Sequence, residues 1–169
     1  MLEVAVLPES PWPDLDWEAL AGAAVRAAFA ESPYGEWIDH HSTFEVSIRL
    51  TDDDAVRRLN AQYRSKDKPT NVLSFPMVQP DLLDTVSMNS DDGEVLLGDI
   101  VLAHGVCAAE AVEREVSVEA HAQHLIVHGT LHLLGFDHER DFEAETMEAM
   151  ERAALAGLGL HDPYPVRED

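Results

Sequence analysis

The stretch VEAHAQHLIVHGTLHLLGFDH, from Val118 to His138, constrains the fold more than any other part of the chain. It carries five histidines, and after Glu119 it holds no Asp, Glu, Lys or Arg until Asp137. Residues 118–134 are apolar nearly all round, the pattern of a helix covered on every side. On such a helix His128 and His132, four residues apart, lie on one face and converge on one point. A buried pair of imidazoles leaves ring nitrogens to satisfy. A divalent metal resolves this, and zinc accepts neutral imidazole at about 2.0–2.1 Å. His124 continues the stripe, but the rise to His132 is about 12 Å at 1.5 Å per residue, too long for one shared ion. Gly135 suits the left-handed position just past a helix end, so the chain turns there and His138 comes back towards the first two.

His128, His132 and His138 are therefore the expected ligands of one zinc ion per chain, held at a helix end that is followed by a glycine turn. Three protein ligands leave the fourth position open, which is a catalytic arrangement. His124 and Asp137 are expected behind the ligands. Asp137 caps the turn or orients a ligand ring.

Elsewhere the signals are of ordinary secondary structure. LEVAVL (2–7), FEVSIRL (44–50), NVLSF (71–75, stopped by Pro76) and GDIVLA (98–103) read as strands. Helical spacing marks 16–30, 104–115, 118–134 and 141–158. A further helix, capped by Thr51, carries Val56, Leu59 and Tyr63 on one side. Residues 79–93 are acidic and turn-rich and read as a mobile loop. The expectation is an α+β fold, a single domain over residues 1–169, with a small mixed four-stranded β-sheet packed with about five α-helices.

Composition narrows the class of partner. With 169 residues, 46% of them apolar, the chain can bury a core. No run approaches the roughly 18 apolar residues that span a bilayer. The N-terminus, MLEVAVLPESPW, lacks the basic start of a signal peptide. The lone Cys107 makes no internal disulfide, so a cytoplasmic home is expected, with no membrane partner. A net charge of −22 repels nucleic acid at long range. Yet five of the eleven basic residues, Arg57, Arg58, Arg64, Lys66 and Lys68, fall within twelve positions, with Asp67 opposing them.

The order H-x-x-x-H-x-x-G-x-x-H is also the ligand skeleton of the metzincin peptidases. There a glutamate after the first histidine acts as general base. Here that position is Gly129, which argues against proteolysis. The basic cluster lies in LNAQYRSKDKPTNVLSFP (59–76). Arg64 sits where the helix ends, held more rigidly than the lysines. A guanidinium near a metal can clamp a phosphate through two parallel hydrogen bonds.

These stretches resemble the bacterial YbeY family, the zinc endoribonucleases of ribosomal RNA maturation. HGTLHLLGFDH agrees with the family pattern H-G-x-L-H-L-x-G-[YF]-D-H at every position, residues 59–76 agree with a second block, and LGDIVL (97–102) with a third. The resemblance runs from about residue 44 to 155. It implies zinc on His128, His132 and His138, with Arg64 as the essential cation beside them. It also implies cleavage of single-stranded RNA in 16S rRNA 3′-end maturation and ribosome quality control. The implied partners are the small-subunit rRNA precursor, small-subunit proteins and other maturation factors. On this reading Arg64 and His128 serve catalysis, while Arg57, Arg58, Lys66 and Lys68 meet the RNA. Two rivals stand beside it. One is a metallopeptidase or amidase whose base comes from Glu139 or Asp99. The other is a non-catalytic ribosome-assembly factor with a structural zinc.

Overall fold

Strand β2 (Thr43–Thr51) carries the cleanest alternation in the sequence, and it occupies an interior place in the sheet. Phe44, Val46, Ile48 and Leu50 are completely buried, while Glu45, Ser47 and Arg49 face the other way. Strand β1 (Leu2–Pro8) pairs with β2 in parallel on one side, and β4 (Glu94–Ala103) in parallel on the other. Strand β3 (Val72–Pro76) runs antiparallel along the outer side of β4, giving the order β1-β2-β4-β3. An edge place suits β3, because Pro76 has no N–H to donate to a neighbour. This computed structural model describes residues 1–79, 82–83, 94–136 and 141–163, with 141–143 described by their backbone alone.

Five helices accompany the sheet among these residues: α1 (Trp17–Glu31), α2 (Asp53–Arg64), α3 (His104–Glu113), α4 (Val118–Leu133) and α5 (Asp141–Gly157). The α+β architecture with a mixed four-stranded sheet is thus as the sequence leads one to expect. One cap differs. Thr51 remains the last residue of β2, where its hydroxyl donates to Glu9 Oε1 at 2.9 Å. Asp52 caps α2 instead, its Oδ1 accepting from the Ala55 amide at 2.7 Å. A carboxylate at that position also complements the positive end of the helix.

The two faces of the sheet are covered unequally, and this decides where chemistry can happen. Helix α1 packs on β1, and α4 packs on β3 and β4, burying most of one face. On the other face α2 covers only one end, where Val56, Leu73, Val101 and Ala103 form a small second core. The remainder of that face is open. The acidic stretch at 79–93 lies mostly outside the described residues. Leu83, within it, is fully buried in the main core. Among the described residues no helix is long and apolar enough to cross a membrane.

Candidate functional site

Helix α4 starts at Ser117, whose hydroxyl accepts from the Ala120 amide at 3.1 Å, and is buried along most of its length. Its last two turns present His128 and His132 to the same point. Their Nε2 atoms are 3.0 Å apart, with the rings nearly perpendicular at 77°. Two nitrogens sharing a tetrahedral zinc at 2.0–2.1 Å would stand about 3.3 Å apart, so the pair needs only a slight opening to hold one ion.

The second nitrogen of His128 explains its orientation. Its Nδ1–H donates to Oε1 of Glu151, which reaches in from α5 and is completely buried. The other oxygen of Glu151 lies 3.7 Å from Nε2 of His124. A carboxylate on one imidazole nitrogen fixes the tautomer and leaves the lone pair of the other facing outward, as a metal ligand requires. The residues present thus fit a zinc ion. The sequence reading passed over Glu151. Its signal was there: it sits on the apolar stripe of Met147, Met150, Ala154 and Leu155, where an ionised side chain is rare unless paired.

The chain leaves α4 as its glycine suggests. Gly135 has φ of 96° and its amide donates to the His132 carbonyl at 3.0 Å. The Phe136 amide closes the wider loop onto the Leu131 carbonyl at 3.1 Å. Asp137, His138 and Glu139 lie outside the described residues. Among the described residues no three metal-binding side chains converge on one point.

Gly129 is required by a close approach. A Cβ there would come within 3.2 Å of both the Ile100 side chain and Ser74 Oγ. The glutamate of a metzincin peptidase would have to push Ile100 or Ser74 aside at this place. Asp99, the other base considered for a peptidase, follows the alternation of β4. Ile100 faces Gly129, so Asp99 points to the opposite side of the sheet from the histidines.

Arg64 is the last residue of α2 and is exposed. Its Nη2 donates to the Ser74 carbonyl at 3.1 Å. Ser74 thereby links the two halves of the candidate site, its carbonyl held by Arg64 and its hydroxyl turned to Gly129, next to His128. The following loop is pinned by the buried Asn60. Its side-chain amide donates to the Lys68 carbonyl at 2.8 Å, and its backbone carbonyl accepts from the Lys66 amide at 3.2 Å. Lys66 and Lys68 themselves stand exposed.

The positive patch is smaller than its sequence implies. Arg57 is paired with both Asp54 and Asp67 at 2.8 Å, and Arg58 with Asp54 at 2.6 Å. Asp54, one helical turn earlier, is the opposing charge that a reading of residues 57–68 leaves out.

His121 and His124 lie behind the pair rather than at the surface. His121 is 2% exposed, with Nε2 2.8 Å from Glu110, which also accepts from Asn71 at 3.0 Å. Burial holds the His121 imidazole below its ordinary pKa, against the pull of Glu110. Cys107 is fully buried, and burial pushes its thiol far up.

The family model described as Endoribonuclease YbeY matches residues 15–159. The chain belongs to the YbeY endoribonuclease family. A curated family member, the endoribonuclease YbeY of Rhizorhabdus wittichii, is 62% identical over 170 residues, covering 100% of both chains. That of Sphingopyxis alaskensis is 58% identical over 165 residues, covering 97% of this chain and 98% of its own. A Thermotoga maritima protein solved in solution shares the fold, with a TM-score of 0.54 at 22% identity, over 96% of this chain and 99% of that one.

Proposed function

We propose that the protein is a cytoplasmic, zinc-dependent endoribonuclease. It would cut single-stranded RNA, notably the small-subunit rRNA precursor in 16S 3′-end maturation and ribosome quality control, alongside small-subunit proteins and other maturation factors. The observation that carries this reading is the 3.0 Å convergence of His128 and His132, with the other nitrogen of His128 held by a buried carboxylate. The family relatives, named as endoribonucleases, supply the substrate class.

In this scheme His128, His132 and His138 hold one zinc ion. Bound there, zinc supplies the Lewis acidity that makes water a nucleophile near neutral pH without a carboxylate base. The residues of the chain do the rest. Glu151 keeps His128 in the tautomer that offers Nε2. Arg64, placed at the β3 edge by its bond to Ser74, meets the non-bridging oxygens of the scissile phosphodiester and stabilises the charge that builds on them. Lys66 and Lys68 draw the backbone in. Arg57 and Arg58 contribute less, because carboxylates already match them. With a net charge of −22, RNA is held by these local cations and not by the molecule's overall field.

The test is metal analysis alongside cleavage of rRNA precursors by wild-type and Arg64→Ala protein. Arg64→Ala should retain one zinc per chain and lose most of the cleavage, by about 100-fold or more. Full activity in that variant removes Arg64 from the mechanism. A zinc-loaded wild type that turns over no RNA makes the ion a structural one.

A further inference from the structure

Strand β3 is an edge strand, and its outer side carries backbone groups that no neighbouring strand uses. The register decides which groups these are. The Ala103 amide donates to the Asn71 carbonyl at 3.0 Å, and the Met77 amide to the Leu97 carbonyl at 2.9 Å. Asn71, Leu73, Phe75 and Met77 therefore turn their backbone groups to β4. Val72, Ser74 and Pro76 turn theirs outward.

Most donors on that edge are already spent. The Val72 amide donates to Asn71 Oδ1 at 2.7 Å. Pro76 has no N–H. The Ser74 amide is left, and among the described residues it has no partner. The carbonyl of the same residue accepts from Arg64 at 3.1 Å. A further strand pairing here needs both the N–H and the C=O of an outward residue, so Arg64 closes the edge to it. What the edge still offers at this point is donors: the Ser74 amide and the spare N–H groups of Arg64.

The Ser74 side chain adds another. The residue is 8% exposed, and among the described residues its hydroxyl has no hydrogen bond. A hydroxyl buried without a partner costs stability. It lies on the α4 side of the sheet, turned to Gly129. His132 follows Gly129 by three residues and lies on the same side of the helix, next to the point where it meets His128. The hydroxyl thus faces the histidine side of β3, while the amide of the same residue faces the edge that Arg64 reaches. The N–H and O–H of one serine are close enough to converge on one oxygen. Such a set of donors, one of them charged, suits a phosphodiester, whose two non-bridging oxygens share a negative charge and only accept.

We infer that Ser74 is a second phosphate ligand: its amide and hydroxyl hold one non-bridging oxygen of the scissile phosphodiester, and Arg64 holds the other. The inference rests on the RNA-cleaving reading above and adds to it a residue that touches the substrate. The RNA then crosses the free edge of β3 at Ser74, from the Arg64 side to the histidine side. The competing partner of the hydroxyl is the ribose 2′-hydroxyl beside the cut, which both donates and accepts.

The experiment uses the zinc-loaded full chain and a short single-stranded oligoribonucleotide with one cut site. The phosphate at that site is made with sulfur in place of either non-bridging oxygen, each isomer separately. Sulfur is a poor acceptor, so one isomer should lower the wild type's kcat/KM by about tenfold or more, the cost of losing a bond to a charged group. Ser74→Ala should cost about tenfold on ordinary RNA. On that same isomer the variant should lose little more, about tenfold in all, because both changes remove one bond. Ser74→Cys, which keeps the volume and loses the strong donor, should behave alike, and it serves if the alanine variant folds poorly. Losses that multiply to about a hundredfold on both isomers overturn the inference and make Ser74 a structural residue. Ser74→Ala that cuts ordinary RNA as fast as the wild type overturns it too. So does a loss that is shared with a 2′-deoxy substitution at the cut and with neither sulfur isomer, which gives the hydroxyl to the sugar. If the wild type cuts no RNA, the underlying reading has failed and the inference falls with it. Cleavage by the wild type that is lost in His132→Ala shows that the reading stands and that Ser74 alone is being judged.

Discussion

Helix α4 carries two histidines that are each held by one acidic side chain, and the two arrangements differ in a single atom. Glu110 engages His121 through Nε2, the ring nitrogen that reaches farthest from the backbone. Glu151 engages His128 through Nδ1, the nearer one. In the first case the reaching nitrogen is spent, and the ring, 2% exposed, serves the packing of α3 against α4. In the second case Nε2 is left to meet that of His132 at 3.0 Å. Two histidines on one helix thus leave different ring nitrogens free according to which one a distant carboxylate takes.

The contrast is broken or sharpened most strongly by truncating one member of each set. His132→Ala should lose zinc altogether, as read by metal analysis, and should no longer melt earlier when a chelator is added. His121→Ala should keep its zinc. In the wild type the chelator should remove stabilisation worth about 4 kcal/mol when the free metal stands at 1,000 times its dissociation constant. A His132→Ala protein that holds zinc as tightly as the wild type would undo the assignment of the pair.

A milder change addresses the carboxylates. Glu151→Gln keeps the shape but loses the charge that orders the His128 ring. Competition with a metal indicator should show zinc affinity falling about 10–100-fold. Glu110→Gln should leave it unchanged. Equal losses in the two variants would mean that the two carboxylates are not different in kind.

The place of Gly129 beside the pair gives the third test. Gly129→Glu, which restores the metzincin pattern, forces a side chain against Ile100 and Ser74. Denaturant titration should show a loss of about 1–3 kcal/mol from overpacking. A variant as stable as the wild type would mean that α4 has freedom to move away from the sheet.

The smallest effect is one of pH. Burial holds His121 below its ordinary value, so the unfolded chain takes up a proton there before the folded chain does. The stability it contributes is complete above about 6.5, the value for a free imidazole, and is lost as pH falls below it. With chelator present, denaturation midpoints should decline between pH 7 and 5, and less steeply in His121→Asn. Identical slopes would show that His121 does not titrate across folding.

The fold itself was legible from local repeats. Alternation over residues 44–50 found β2, and the 3.6-residue period found five helices with ends displaced by a residue or two. The four-residue spacing placed His128 and His132 on one face, and Gly135 marked the turn after them. These readings succeeded because each depends on the backbone period alone. Tertiary structure decided the rest. Glu151 stands 23 residues beyond His128, and nothing in either local stretch says that α5 will lay it against that ring. The turning of Asp99 away from the histidines likewise followed from how elements pack, because Ile100 meets Gly129 of α4. A period fixes which side of an element a residue occupies, but what lies opposite that side is set only when the whole core closes.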